Sequence, residues 1–343
     1  MIEIDGSIGE GGGQIVRTSL ALATCTGSPI MLRNVRARRS KPGLRAQHLA
    51  AVHAAAAICG AHVTGATIAS SVLSFEPGPV HPGHYEIDVG TAGSTMLVLQ
   101  TILLPLSLCS APSEVLLQGG THNPRAPTFG FVRDAYLPLL DRLGFKAKIM
   151  LERYGFYPRG GGLVRASIEP SRRSGSLELS ERGPVRARTA RAVLSGLPAH
   201  IGQREISVLR GRLGLPEDAC RFDIVNATGA GNVVHVCVGC AHVTTVFAGF
   251  GARGVPAETV ADRVANEVER YLNANVVLDA HLADQLLLPL ALAAGGRFTT
   301  LRPSSHTETN AAVIQRFLQV AYGALDLGSD RWCITLRPHA QPR

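Results

Sequence analysis

The sequence predicts an α/β (α+β) protein: three repeats of a unit with two helices and a four-stranded sheet, interrupted by a smaller inserted α/β domain. Three observations carry that expectation. Leucine-rich segments at 13–35, 93–120 and 282–303 share one plan: a helix of three to four turns, a Gly or Pro turn, and a strand entering a basic or glycine-rich loop. Each is followed by a second helix and a strand or strand pair, at 44–78, 128–161 and 306–338. The spacing then breaks, because residues from about 180 to 278 have no place in the repeat and carry their own alternation of strands and helices. The period is too long for a solenoid. The expected domains are 1–180 with 278–343, and 181–277, joined by hinges near Ser171–Ser176 and Asn275.

Taken in order, the first unit opens on Glu10-Gly-Gly-Gly-Gln14 before its leucine-rich helix. In the second, Gly155–Gly162 reads as a tight hairpin turn with a structural role. The insertion predicts a strand near 185–196, a helix near 201–213, strands near 221–227, 232–239 and 243–249, and a helix at 256–273. That last helix has Pro256 near its first position and Val260, Val264, Val268 and Leu272 on one face. Thr228–Asn232, with no helix after it, reads as a hairpin-type turn and not a nucleotide loop. In the third unit Val313, Ile314 and Phe317 share a helix face, and Ser304 or Ser305 caps that helix. His306 therefore falls in or just before the first turn.

Composition narrows the function. Charged residues are 17% and hydrophobic residues 45% of 343, so the chain is globular. The longest apolar runs, such as 97–108, contain Gln and Pro and are too short to span a bilayer, and no export signal is visible, so a cytoplasmic protein is expected. Seven scattered cysteines suit buried thiols better than a disulfide framework. Cys237-Val-Gly-Cys240 lies in an alternating strand pattern, and His81-Pro-Gly-His84 lacks the context of a zinc site. A net charge of +8 points to an anionic partner. Only Lys41, Lys146 and Lys148 are lysines; the other cations are arginines, which grip phosphate but are not nucleophiles. Aromatics at 5% argue against a stacking platform for long single strands and for a grip on one nucleic-acid end.

If each unit sets the loop before its second helix at one end of its sheet, three loops converge. The first, residues 36–48, holds five basic residues within ten before a helix start, which makes a phosphate cradle. The second, residues 119–127, is rich in Gly and Pro, and Pro127 with Phe131 offers a flat wall for a purine or, equally, packing between repeats. The third holds His306. Exposed N–H groups at a helix start favour anions and lower the pKa of a nearby imidazole, so His306 is either a phosphorus-directed nucleophile or a solvated cap. Glu10, beside bare glycine backbone and Arg17, can hold a phosphate-bound metal; Asp284 can be a helix cap.

Together EGGGQ with Arg17, RSKPGLRAQH (39–48), GTAGS (90–94), GGTHNPRAP (119–127), GFYPRGGG (155–162), HLADQ (281–285) and SSHTETN (304–310) resemble the RNA 3'-terminal phosphate cyclases over nearly the whole chain. The resemblance implies an enzyme that uses ATP and a divalent metal (Mg2+ or Mn2+) on an RNA bearing a 3'-terminal phosphate. It implies a covalent histidine–AMP intermediate, transfer of AMP to the RNA 3'-phosphate, and attack by the vicinal 2'-OH to close a 2',3'-cyclic phosphodiester. By motif, His306 would be the nucleophile and Glu10 the metal ligand. Arg17, Arg36, Arg39, Gln47 and His48 would meet phosphate or RNA. Gln100, His281, Leu282, Ala283, Asp284, Gln285, Pro127 and Phe131 would form the nucleotide pocket. His281 stands where many members have tyrosine, which weakens the expected stacking on the nucleotide. The alternative is a non-catalytic cyclase-like RNA-binding or ribosome-assembly factor; such relatives lose the histidine that this chain keeps. An enolpyruvyl transferase, also built of helix–sheet repeats, has no use for a covalent histidine.

Overall fold

Each of three consecutive units threads strand, helix, strand, helix and two strands. We describe residues 1–172 and 175–338 of a computed structural model; Arg173 and Ser174, within the expected join near Ser171–Ser176, lie outside the described residues. The first unit runs β1 (Ile2–Asp5), α1 (Gly13–Thr26), β2 (Ile30–Arg33), α2 (Ala46–Cys59), β3 (His62–Thr64) and β4 (Leu73–Glu76). The second runs β5 (His84–Asp88), α3 (Thr95–Ser107), β6 (Ser113–Gly119), α4 (Phe129–Phe131), a π-helical turn Val132–Tyr136, α5 (Leu137–Arg142), β7 (Ala147–Arg153) and β8 (Gly162–Ile168). The third begins with β9 (Leu177–Leu179) and is then interrupted.

The interruption contributes β10 (Val185–Ser195), α6 (Ala199–Leu213), β11 (Cys220–Ile224), β12 (Gly231–Cys240), β13 (Thr244–Phe250) and α7 (Ala257–Ala274). The third unit resumes with α8 (Ala280–Leu292), β14 (Gly296–Thr300), α9 (Ser305–Gln315), β15 (Val320–Asp326) and β16 (Trp332–Pro338). The three unit sheets have one topology: β1-β2-β4-β3, β5-β6-β8-β7 and β9-β14-β16-β15, with the first pair parallel and the other two antiparallel. The expected repeat is therefore present, with a leading parallel strand in each unit.

The unit helices bury their leucines together: Leu20 and Leu22 of α1, Leu99 and Leu103 of α3, and Leu282 and Leu286 of α8 share one core. The inserted sheet, β11-β10-β12-β13, uses both faces. Ala190, Ala192, Leu194, Val234, Val236 and Val238 pack on α6 and α7, as the period of two requires. On the opposite face Val193 and Val233 enclose Phe156 from the second unit, and Cys237 and Val246 join the unit core. Cys237 and Cys240 are strand residues, as their alternation predicts.

One turn differs from expectation. Thr228–Asn232 does not close a hairpin, because β11 and β12 flank β10 and are not partners. Its glycines instead meet the second unit: a Cβ on Gly229 would lie 2.6 Å from Arg159 Cγ, and one on Gly231 would lie 2.1 Å from the Phe156 ring. No described helix is long and apolar enough to cross a membrane.

Candidate active site

In each unit the second strand and the last strand are antiparallel, so the loop before the second helix and the hairpin loop lie at the same sheet end. At that end residues of all three units and of the insertion line one cleft of about 1630 Å³. His306 lies in the first turn of α9, where Ser304 caps the helix by accepting from the Thr307 N–H at 3.3 Å.

The imidazole has a fixed tautomer. Gln14 donates through Nε2 to Asp284 Oδ1 at 2.8 Å, which turns its amide oxygen toward His306 Nδ1, also at 2.8 Å. An amide oxygen only accepts, so Nδ1 carries the proton and Nε2 keeps its lone pair. That lone pair faces the cleft, 3.5 Å from Glu10 Oε1. Burial lowers the His306 pKa, Asp284 counters it, and Arg39 and Arg17 add to the lowering. The ring is therefore neutral at pH 7 and nucleophilic at Nε2. Asp284 is pushed up by burial and held down by Gln14, His306, His281 and Arg17.

Asp284 is not the cap of α8. Asp279 is, accepting from the backbone N–H of His281 at 3.0 Å and of Leu282 at 3.3 Å. One turn further in, Asp284 is free to join Gln14. Asn310 completes this frame: it accepts from Thr18 Oγ1 at 2.8 Å and donates to the Asp284 carbonyl at 3.0 Å. Three helix positions distant in sequence thus set one imidazole, an arrangement of well-satisfied buried polar groups.

The glycines of the EGGGQ stretch have a steric reason. A Cβ on Gly12 would lie 2.0 Å from Glu10 Oε2, and one on Gly13 would lie 2.2 Å from His48 Nε2. Gly12 caps α1 with no side-chain hydrogen bond, which leaves first-turn N–H groups unspent. Gly9, at φ +55, brings the loop against α9, where the Glu10 N–H donates to Thr309 Oγ1 at 3.1 Å.

Around this centre the cations take different parts. Arg17 lines the cleft, and burial lowers it to about 10, so it stays charged at neutral pH. Arg39 pairs with Glu10. Arg36, at φ 55, reaches the cleft but donates through Nη1 to the Lys41 and Gly43 carbonyls at 2.8 and 2.9 Å, stiffening the basic loop. His48 accepts the Arg45 N–H at Nδ1, 3.0 Å away, so its remaining proton is on Nε2. Burial and the charges of Arg17, Arg36 and Arg45 take its pKa down to about 3. It is a neutral donor among cations. Gln47 and Gln100 also line the cleft, Gln47 accepting from the Ser94 N–H at 3.3 Å and Gln100 donating to Gln285.

Of the remaining expected residues, Pro127, Phe131, His281, Asp284 and Gln285 face the cleft, but Leu282 and Ala283 do not. Both are buried in the unit core, since α8 turns successive residues about 100° and these two point inward. Motif position could not separate them from their neighbours. Sequence reasoning also missed Phe247 and Phe250 of β13 and Glu267 of α7, which line the cleft from the insertion. It gave Gly155–Gly162 a structural role alone, yet Tyr157 and Pro158 of that hairpin stand in the cleft wall. The role of Gln14 was missed too; its place in EGGGQ was the available signal.

A divalent metal fits these residues in one form. Among the described residues no group of three His, Cys, Asp or Glu side chains is placed to enclose an ion. Magnesium bound to triphosphate needs only one or two protein carboxylates, the rest coming from phosphate and water. Glu10, which lies against glycine backbone and pairs with Arg39, is the carboxylate that such a metal would use.

Fold and cleft together define a class: an α/β protein with a neutral, tautomer-fixed histidine in an arginine-rich cleft. Comparisons with known proteins sharpen it. A family model described as RNA 3'-terminal phosphate cyclase matches residues 8–323. Curated proteins named RNA 3'-terminal phosphate cyclase are similar to the chain along nearly all its length. One from Ralstonia nicotianae is 48% identical over 320 residues, 93% of this chain and 92% of that protein. One from Pseudomonas aeruginosa is 46% identical over 338 residues, 98% of each. One from Salmonella agona is 44% identical, covering 94% of this chain and 93% of its own. The chain belongs to the RNA 3'-terminal phosphate cyclase family.

Proposed function

We propose that the protein uses ATP to convert an RNA 3'-terminal phosphate into a 2',3'-cyclic phosphodiester. One observation carries this reading beyond family membership: His306 Nε2, deprotonated by the tautomer that Gln14 and Asp284 impose, faces a cleft lined by Arg17 and Arg39.

In the first step Nε2 attacks the α-phosphorus of ATP; an N–P bond forms, the bond to the bridging oxygen breaks, and pyrophosphate leaves. Nδ1–H keeps its bond to Gln14 as the ring becomes cationic, and Asp284 stabilises that charge through the amide. In the second step an oxygen of the RNA 3'-phosphate attacks the same phosphorus and His306 departs neutral. In the third the 2'-OH attacks the RNA phosphorus and loses its proton to water, AMP leaves, and the ring closes. A phosphate monoester has no good leaving group of its own, and AMP supplies one. Such chemistry asks mainly for positioning and charge neutralisation, which suits Arg17, Arg39, Gln47 and His48 as phosphate contacts. Glu10 would hold a divalent metal, which neutralises triphosphate charge when bound.

The adenosine fits the apolar side of the cleft, where Pro127 and Phe131 of the second unit meet Phe247 of the insertion, with Gln100, His281 and Gln285 nearby. On this reading residues 1–180 and 278–343 form the catalytic part and 181–277 an inserted domain that closes one wall of the cleft. A cytoplasmic setting suits the seven cysteines. The test is incubation with α-labelled ATP and a divalent metal, followed by RNA with a 3'-phosphate. Acid-labile label on the protein that passes to RNA, yielding a cyclic end and AMP, is expected.

A further inference from the structure

We infer that Tyr157 is the platform on which the terminal base of the RNA stacks while its 3'-phosphate lies in the cleft. The inference rests on the cyclase reading and adds the RNA-binding element that reading lacks. Tyr157 is 67% exposed and is the one exposed Phe, Tyr or Trp among the described residues. An exposed tyrosine ring in the cleft wall leaves an aromatic face free to meet a ligand.

The loop that presents it is held on every side. Phe156, its neighbour, is 2% exposed and packs on Val193 and Val233 of the inserted sheet. The Gly160 N–H donates to the Phe156 carbonyl at 2.7 Å, and the Thr121 N–H to the Gly155 carbonyl at 2.9 Å. At φ +67 and +72, Gly160 and Gly161 lie so close to Ala92 and Thr228 that a Cβ would fall 2.8 Å from Ala92 Cα and 2.4 Å from Thr228 Oγ1. The backbone on either side of Tyr157 is therefore fixed while its ring faces solvent at the cleft. That is the design of a pre-ordered contact surface, where little freedom remains to be lost on binding.

The surroundings suit a nucleotide. Arg125 lines the same cleft, and Arg159, exposed, follows Tyr157 by two residues in the chain, cations suited to an RNA backbone. Asn123, also in the cleft wall and 7% exposed, donates through Nδ2 to the Ala92 carbonyl and leaves its Oδ1 without a partner among the described residues. Stacking on a tyrosine tolerates any base, whereas single-stranded ends offer the unstacked face it needs. The ligand class is a single-stranded RNA end of any sequence.

The experiment separates the two half-reactions in the same preparations of wild type, Tyr157→Ala and Tyr157→Trp. His306 adenylylation from ATP alone is measured first, then cyclisation against RNA concentration, using a 3'-phosphorylated oligonucleotide and its counterpart lacking the terminal base. Adenylylation reports on the cyclase reading; its absence from wild type would fail that reading and this inference with it, an outcome distinct from an effect confined to the Tyr157 variants. The expected result is adenylylation within about twofold of wild type, a KM for RNA raised about 5- to 100-fold in Tyr157→Ala, and recovery in Tyr157→Trp. The abasic substrate should show no difference between variants. An unchanged KM, a loss equal on the abasic substrate, or a loss confined to adenylylation would overturn the inference, the last by making Tyr157 part of the ATP site.

Discussion

Replacing Gln14 by Leu removes the side chain that fixes the nucleophile while preserving its size. Two hydrogen bonds of 2.8 Å vanish, one from the His306 ring and one to the Asp284 carboxylate. Burial already works against the charge of Asp284, so losing a donor there costs more than a solvent-exposed bond would. His306, with its side chain 48% exposed, can then rotate or take the other tautomer. A loss of about 1.5 to 3 kcal/mol in transition-state stabilisation is expected, or roughly 10- to 100-fold in rate. Single-turnover formation of the histidine–AMP adduct is the assay. Gln14→Glu gives an independent sign. A carboxylate at Nδ1 stabilises the imidazolium, so the fraction of neutral His306 at a given pH falls. In wild type His306 lies below the ordinary 6.5, and adenylylation is lost only as the pH falls through that lowered value. In Gln14→Glu the acid limb should move to higher pH. An unchanged rate in Gln14→Leu, or an acid limb that moves down in Gln14→Glu, would refute the assigned tautomer and relay.

Two further outcomes follow from packing and burial. In Gly9→Ala the new Cβ would meet Thr309 Oγ1 at 2.1 Å from a backbone at φ +55, so the loop must leave α9 and Glu10 loses its anchor; a melting study should show a loss of about 1 to 3 kcal/mol, with a weaker metal requirement curve for adenylylation. His235, whose ring meets His122 edge-on, is lowered to about 4 by burial and by Arg191. The unfolded chain binds a proton there that the folded chain does not, so this stability is whole above pH 6.5 and is lost as pH falls toward 4, about 2 kcal/mol at pH 5. Denaturant titrations of His235→Gln should give a stability curve flatter by about one proton across that range, and a parallel curve would contradict the burial argument.

Much of this architecture is legible in the sequence because it rests on local patterning. The leucines of α1, α3 and α8 recur at helical spacing, and α7 shows Val260, Val264 and Val268 buried on one face as predicted. The leading strands β1, β5 and β9 escaped, being three to five residues long and paired only across a helix or, for β9, across the whole insertion. Where motifs single out residues, all but Leu282 and Ala283 of those expected line one cleft. What failed depended on tertiary geometry. Asp284 looks like a cap until Asp279 is seen in that position, and Gln14 gains meaning only when α1 and α9 meet. The turn at Thr228–Asn232 looked like a hairpin because its neighbours are strands, but pairing is set by β10 between them. No local pattern could show that β13 and the hairpin of Tyr157 would reach the cleft.

The central claim is a covalent nucleotide on one nitrogen of one histidine. Intact-mass analysis and peptide mapping after incubation with ATP and a divalent metal test it directly, with His306→Ala in parallel. The account predicts a single added AMP on wild type, acid-labile and mapped to His306, and none on a variant that melts as wild type does. AMP on the His306→Ala protein, or on any other residue of the wild type, would contradict it.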